Sequence, residues 1–445
     1  MSRFEPKVRW WTATTRSLSR FAPARRPHAR RRLNLECLED RTMLSIIALT
    51  VDSTADASPP PGVTTLREAI TQADADTANQ YAINFSVEGT IDLTSPLPAL
   101  DNNIDIEGPG ASVLTVQRDQ NAVGFSIFTV NSGETVNLSG VTITGGSNNG
   151  GLDANVGGGI FNDGILTVSD STFAGNFAEF RGGGIFNQSG AKAIVSDSTF
   201  NNNMVIGSSL TSPFAQPGGG IENEGTLTVN DSIFIGNTAE FGGGIDNGGV
   251  LTVNGSVFAN NSATWQGGGI ENEGTLTVND SIFTGNSATI AFGEGTLFGD
   301  GGGIFNSGTL TVINDIFTNN TADIVGGGIF NLGDMVTVTN STFTDNSAND
   351  DGSGIFNDSV LMVNGSVFTD DTGGAIASGV PASGVDFNGS GAQLTVDRDI
   401  FADNSFPNGE NGEGGGILNG GTLTVLDSVF IGNSALASSF QDFLY

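Results

Sequence analysis

The stretch Gly218–Asn237 reads GGGIENEGTLTVNDSIFIGN, and its internal spacing decides the fold. In Leu227-Thr228-Val229 an apolar, a polar and an apolar residue alternate, so Leu227 and Val229 share one face and Thr228 takes the other. A side-chain period of two is the mark of a β-strand. Ile221 and Asn223 share a face in the same way, with Glu222 opposite them. Phe234 and Asn237 close the unit as FxxN. No segment of the unit has helical spacing.

The unit recurs along the chain. Gly-Gly-Gly-Ile ends at Ile160, Ile185, Ile221, Ile245, Ile270, Ile304, Ile329 and Ile417, with degenerate copies at Ile355 and Ile376. The matching Phe recurs from Phe173 to Phe430. A compound motif at a near-constant period of this length signals a solenoid. Three short strands per turn predict an all-β chain, a right-handed single-stranded parallel β-helix of about 12–13 coils. At ~4.8 Å per coil it is a rod of roughly 60 Å. The inward residues are Ile, Leu, Val and the Phe of each unit, stacked on their own copies. Asn at two fixed places, as at Asn223 and Asn237, predicts two ladders of amides bonded coil to coil.

Composition agrees. The 445 residues include 65 Gly and 30 Phe, with 3 Trp and 2 Tyr. Frequent Gly without a three-residue period points to turns and away from collagen. Frequent Phe argues against disorder. The net charge of −32 hides two opposite parts. Residues 1–45 carry eleven Lys or Arg and four acidic residues; the other 400 carry five basic groups against forty-four acidic, a formal charge of −39. That body repels nucleic acid and anionic lipid. Cys37 is the single cysteine, so no disulfide forms within the chain.

The chain divides into a basic segment at 1–45, expected to be disordered or removed; a cap with a short helix at 46–80; the β-helix at 81–435; and a tail at 436–445. The apolar run Met43–Val51 is too short to span a bilayer. Leu33–Ser45, which contains the pattern LExLEDRxxLS, resembles the N-terminal targeting segments of planctomycete surface and secreted proteins, which implies export. Thr65 and Glu68 have capping-box spacing, and Leu66, Ala69, Ile70 and Ala73 form one apolar stripe. A helix there would seal the open end of the solenoid. The same residues resemble the CSLREAI element that precedes β-helix repeats in bacterial surface proteins, with Thr64-Thr65 in place of Cys-Ser.

The pairing of GGGI with FxxN over Gly157–Ala435 resembles the repeats of chlamydial polymorphic outer-membrane proteins and related β-helix adhesins. The resemblance implies surface exposure and adhesion. Such proteins usually continue into a membrane barrel; the repeats here run close to Tyr445, so self-insertion is not expected.

Two features point to a binding face. Longer linkers at Met204–Pro217, Thr289–Asp300 and Ser405–Glu413 all fall between FxxN and the next Gly-Gly-Gly. They leave the coil at one corner, and insertions on one side of a solenoid commonly mark its binding side. The middle residue of Ile-x-Asn accepts both Phe and Glu, which predicts an outward position. Glu222, Asp246 and Glu271 then form a carboxylate column flanked by Glu224 and Glu273, and Phe305, Phe330 and Phe356 form an aromatic patch in the same file. Like charges one coil apart repel. A calcium ion on Glu222, Asp246 and Glu271 would relieve this, being a hard cation that prefers carboxylates. Aromatic platforms beside carboxylates suit glycans or cell-surface and matrix proteins as partners.

The alternative is a polysaccharide-degrading enzyme. Lyase chemistry needs a cation beside the substrate carboxylate, and the repeats offer only Arg181, Lys192 and Arg398, well separated in sequence. The sole His, His28, precedes the repeats. A glycosidase using Glu/Asp pairs survives, since adjacent coils approach the ~5 Å carboxylate separation of retaining enzymes. A surface scaffold with a structural or adhesive role is the stronger expectation, with no catalytic residues and no cofactor beyond calcium.

Overall fold

The computed structural model describes residues 46–56, 59–148, 156–206, 217–289, 299–379, 391–406 and 414–435. Strands stack in parallel and in register, one coil above another, as a right-handed parallel β-helix. Its longest sheet holds the Leu-Thr-Val strands and counts 14 strands. The excess over the expected 12–13 comes from Ile46–Val51, which pairs with Gln80–Phe85 as the first strand of that sheet. Sequence reading placed this segment in the cap. A second sheet of 13 strands carries the repeated Phe, and a third of 11 carries Ile-x-Asn.

The expected three strands per coil are in fact four. After FxxN a short strand follows, such as Ser287–Ala288 or Thr238–Phe241, and eight of these make a sheet of their own. Its central Ala residues (Ala178, Ala239, Ala263, Ala288, Ala322) are buried. Pieces of two residues show no alternation, so periodicity could not reveal them.

Inside the coil the assignments hold. Ile221, Leu227, Val229 and Phe234 and their copies in the neighbouring coils are all but inaccessible. The Phe rings stack from Phe173 to Phe430 with centroids 4.6–4.9 Å apart and planes within 6° of parallel. The rise of a parallel sheet sets that distance, so each ring meets the next at contact.

Both Asn ladders form. Asn187 Nδ2 donates to Asn223 Oδ1 at 2.6 Å, and Asn223 to Asn247 at 2.7 Å. In the other, Asn237 Nδ2 donates to Asn261 Oδ1 at 2.9 Å and to the carbonyl of Phe200 at 3.0 Å. A third ladder escaped sequence reading: the Ser two places before each Phe. Ser256 Oγ accepts from Ser232 N at 3.1 Å, and Ser281 Oγ from Ser256 N at 3.1 Å.

The corners explain the remaining residue choices. The residue before each ladder Ser and the one before each FxxN Asn lie at positive φ; Asp231 (φ 45°), Gly255 (57°), Asn260 (53°) and Gly236 (66°) are examples. Asn, Asp and Gly tolerate this region best. The ladder Asn residues themselves are not the turn formers. At the last corner Gly218 takes φ 72°, a Cβ on Gly219 would lie 2.4 Å from the Gly243 carbonyl oxygen, and one on Gly220 would press on the Phe234 ring. Each glycine of the triplet therefore has a separate cause.

The capping helix runs Leu66–Asp74 with the expected capping box between Thr65 and Glu68 and the expected four residues buried. Arg67 ties it down, with Nη2 2.6 Å from Asp56 Oδ1 and 2.8 Å from the Ser95 carbonyl. Among the described residues no helix is long and apolar enough to cross a membrane.

Candidate functional site

Sequence reading placed the middle residue of Ile-x-Asn outside, in solvent. It does point away from the coil interior, but it is not exposed. The chain between the short fourth strand and Gly-Gly-Gly folds back as a strap over this file. Val156, Arg181, Pro217, Phe241, Gln266 and Asp300 sit just before the glycines; bridges pair Val156 with Arg181, Pro217 with Phe241, Phe241 with Gln266 and Gln266 with Asp300, and Gly182 N donates to the Pro217 carbonyl. The left-handed turn at the first glycine brings the strap onto the file: a Cβ on Gly218 would lie 2.7 Å from Glu222 Cβ.

Under the strap, Phe305, Phe330 and Phe356 are buried with Ile324 and Val325 in a satellite cluster outside the main core. The expectation that they serve as open aromatic platforms is therefore corrected: strap residues cover their faces. The carboxylate half lies under the same roof. Glu222 and Glu271 are each only 3% exposed, Asp246 is partly buried, Glu224 is half-buried and Glu273 is exposed. The register pairs Glu222 with Asp246 and Asp246 with Glu271, so the column forms as expected.

Arg181 partly neutralises one end. Its Nη1 lies 3.0 Å from Glu222 Oε1 and also bonds Glu224, and its guanidinium sits 5.8 Å from the centre of the Phe186 ring. Sequence reading had counted Arg181 among cations too dispersed to matter. At the other end the register sets Asp246 beside Glu271, one coil apart. Burial first, then the neighbouring Glu273 and Glu224 carboxylates, pushes Asp246 up to about 7. Burial and Asp246 raise both Glu222 and Glu271 well above the usual carboxylate range. Oε2 of each has no hydrogen-bond partner.

Among the described residues no group of three or more His, Cys, Asp or Glu is arranged to hold a metal ion. The interiors of the three longer linkers lie outside the described residues; each leaves after the short fourth strand, and the first two return at the strap through Pro217 and Asp300.

The strap also explains why a position holding Phe or Glu need not be exposed: its neighbours are covered by whatever strap residue lies above. A weak signal was present. Large apolar residues cluster immediately before Gly-Gly-Gly at Phe241, Trp265, Ile324 and Val325, where a solvated turn would hold polar ones.

No protein-family model and no curated protein matches the chain. Solved structures with similar architecture include the A-module of a mannuronan C-5 epimerase from Azotobacter vinelandii (13% identity, 84% of this chain and 95% of that one, TM-score 0.37). Another is PfbA, a surface adhesin of Streptococcus pneumoniae (14%, 82% and 86%, TM-score 0.38). A third is an alginate lyase from Paenibacillus sp. (13%, 72% and 95%, TM-score 0.34). At this level of similarity none of them assigns an activity to the chain.

Proposed function

We propose that the chain is an exported β-helix scaffold of the outer cell surface or extracellular space, with a structural and adhesive role, binding glycans or other surface ligands along one face. Export rests on the likeness of Leu33–Ser45 to targeting segments; those residues lie outside the described part of the chain.

The observation that carries the reading is the exterior of the Leu-Thr-Val sheet. With the Ile-x-Asn file roofed, this sheet still offers an open face. Thr228, Thr252, Thr277, Thr311 and Thr337 stand in register in successive coils, each part-exposed. Beside them runs a second rank, where Asn254 Nδ2 donates to Asn230 Oδ1 and Asn279 Nδ2 to Asn254 Oδ1, each at 2.9 Å. These ranks carry no charge, although the body as a whole is strongly acidic. A rigid row of identical hydroxyls suits a polymer whose own units repeat, because each added contact is made at high effective concentration.

A glycan array combined with a reducing-end assay tests this. Neutral glycans should bind without release of sugar, and Thr252→Glu with Thr277→Glu should weaken binding at least tenfold. Released sugar that depends on Asp246 and Glu271 would favour a glycosidase instead. Binding indifferent to the Thr row would remove the face.

A further inference from the structure

The roofed carboxylate file contains the same local sequence twice. Glu222-Asn223-Glu224 and Glu271-Asn272-Glu273 occupy equivalent places two coils apart. In the first copy the strap residue of the preceding coil is Arg181, and its guanidinium meets both glutamates. In the second copy the residue in that place is Phe241. No side chain of the strap supplies a cation there, and Asp246 adds a third carboxyl where the first copy has Phe186. Glu271 is 3% exposed and its Oε2 has no partner, while Glu273 stands open to solvent at the rim. In the strap the Phe241 and Trp265 rings lie 5.4 Å apart.

We propose that Glu271, Glu273 and Asp246 bind an external guanidinium, an arginine side chain presented by a partner protein. The chain's own Arg181 shows the chemistry that this local sequence accepts. A guanidinium offers several N–H donors in one plane, so it can bridge two carboxylates and lie against an aromatic ring at once. An acidic body also draws basic partners towards it. The site goes beyond the glycan-binding face and does not depend on it.

Trp265 is a built-in reporter. In full-length chain carrying Trp10→Phe and Trp11→Phe it is the sole tryptophan. The probe is an end-blocked Gly-Arg-Gly peptide at pH 8, followed by Trp265 fluorescence and by calorimetry, with Gly-Lys-Gly and calcium chloride as comparisons. One equivalent of the arginine peptide should bind, at least tenfold tighter than the lysine peptide. Glu273→Gln, at an exposed position, should weaken it at least tenfold, as should Glu271→Gln. Phe241→Arg should fill the site from within and abolish binding; Arg181→Ala should open the first copy and raise the stoichiometry to two. Absence of binding, binding unchanged by Glu271→Gln and Glu273→Gln, or equal response to lysine peptide or calcium would overturn the proposal.

Discussion

The two halves of the roofed file have the same backbone, the same register and similar burial, yet opposite chemistry. In one half Phe305, Phe330 and Phe356 pack with Ile324 and Val325. In the other Glu222, Asp246 and Glu271 lie under an equivalent strap with one arginine, and burial raises all three carboxyls. Burial here is thus a property of the coil and not of the residue. The apolar half gains from it. The acidic half bears a desolvation cost, met by protonation and by Arg181.

That contrast can be broken most severely by moving charge into the wrong half. Phe330→Glu removes a buried ring and strands a carboxyl among Ile324, Val325 and Phe356, with no arginine in the strap above it. We expect a loss of about 4 kcal/mol or more, read as a fall in the denaturant midpoint. Phe330→Leu should cost much less, separating the charge effect from the volume effect.

The inner ladders give a second test. Asp371 stands where other coils have the FxxN Asn. It accepts from Asn346 Nδ2 at 3.0 Å, but its Oδ2 lacks a partner at the place where the amide nitrogen would donate. Burial pushes its pKa up to about 8, because the charged form is desolvated there; only the protonated acid could donate as Asn does. Asp371→Asn should restore the ladder and stabilise the protein by about 1–3 kcal/mol at pH 9, with a smaller gain at pH 5. A melting-temperature comparison at the two pH values checks this.

A smaller effect is expected at the strap. Arg181→Ala removes the pair with Glu222, but the arginine side chain is 40% exposed and the glutamate can take up a proton. About 1 kcal/mol should be lost at pH 8, shrinking as pH falls. Chemical denaturation at pH 5 and pH 8 resolves the difference.

Much of this was legible in the order of residues. The GGGI and FxxN landmarks marked the coil because each has a geometric cause: glycines that admit no Cβ, a ring stacked on its own copy, an amide bonded to the next. Thr65 and Glu68 marked the helix because a capping box is local. What stayed hidden depends on the third dimension. The strap has no repeated sequence, running Arg181, Pro217, Phe241, Gln266 and Asp300 through successive coils, so only the scattered apolar residues before the glycines hinted at a roof. A file that accepts both Phe and Glu looked like surface for the same reason. The Ser ladder was readable and was passed over; Asp315 and Asp399 replace Ser at two of its rungs and accept the same backbone N–H groups.

The roof over Glu222, Asp246 and Glu271 is the claim on which the site stands, and the pH dependence of stability tests it most directly. A carboxyl whose folded pKa is raised binds protons more tightly in the native state. Its stabilising effect is therefore greatest at acid pH and declines as pH rises from about 4 to the folded value. For this cluster the decline should run from about pH 4 to pH 7 or above. Wild type and the double variant Asp246→Asn/Glu271→Gln should be compared by denaturant unfolding across that range. The account predicts that the wild type loses stability relative to the variant as pH rises. Curves that stay parallel from pH 4 to pH 8 would mean solvated carboxylates and no roof.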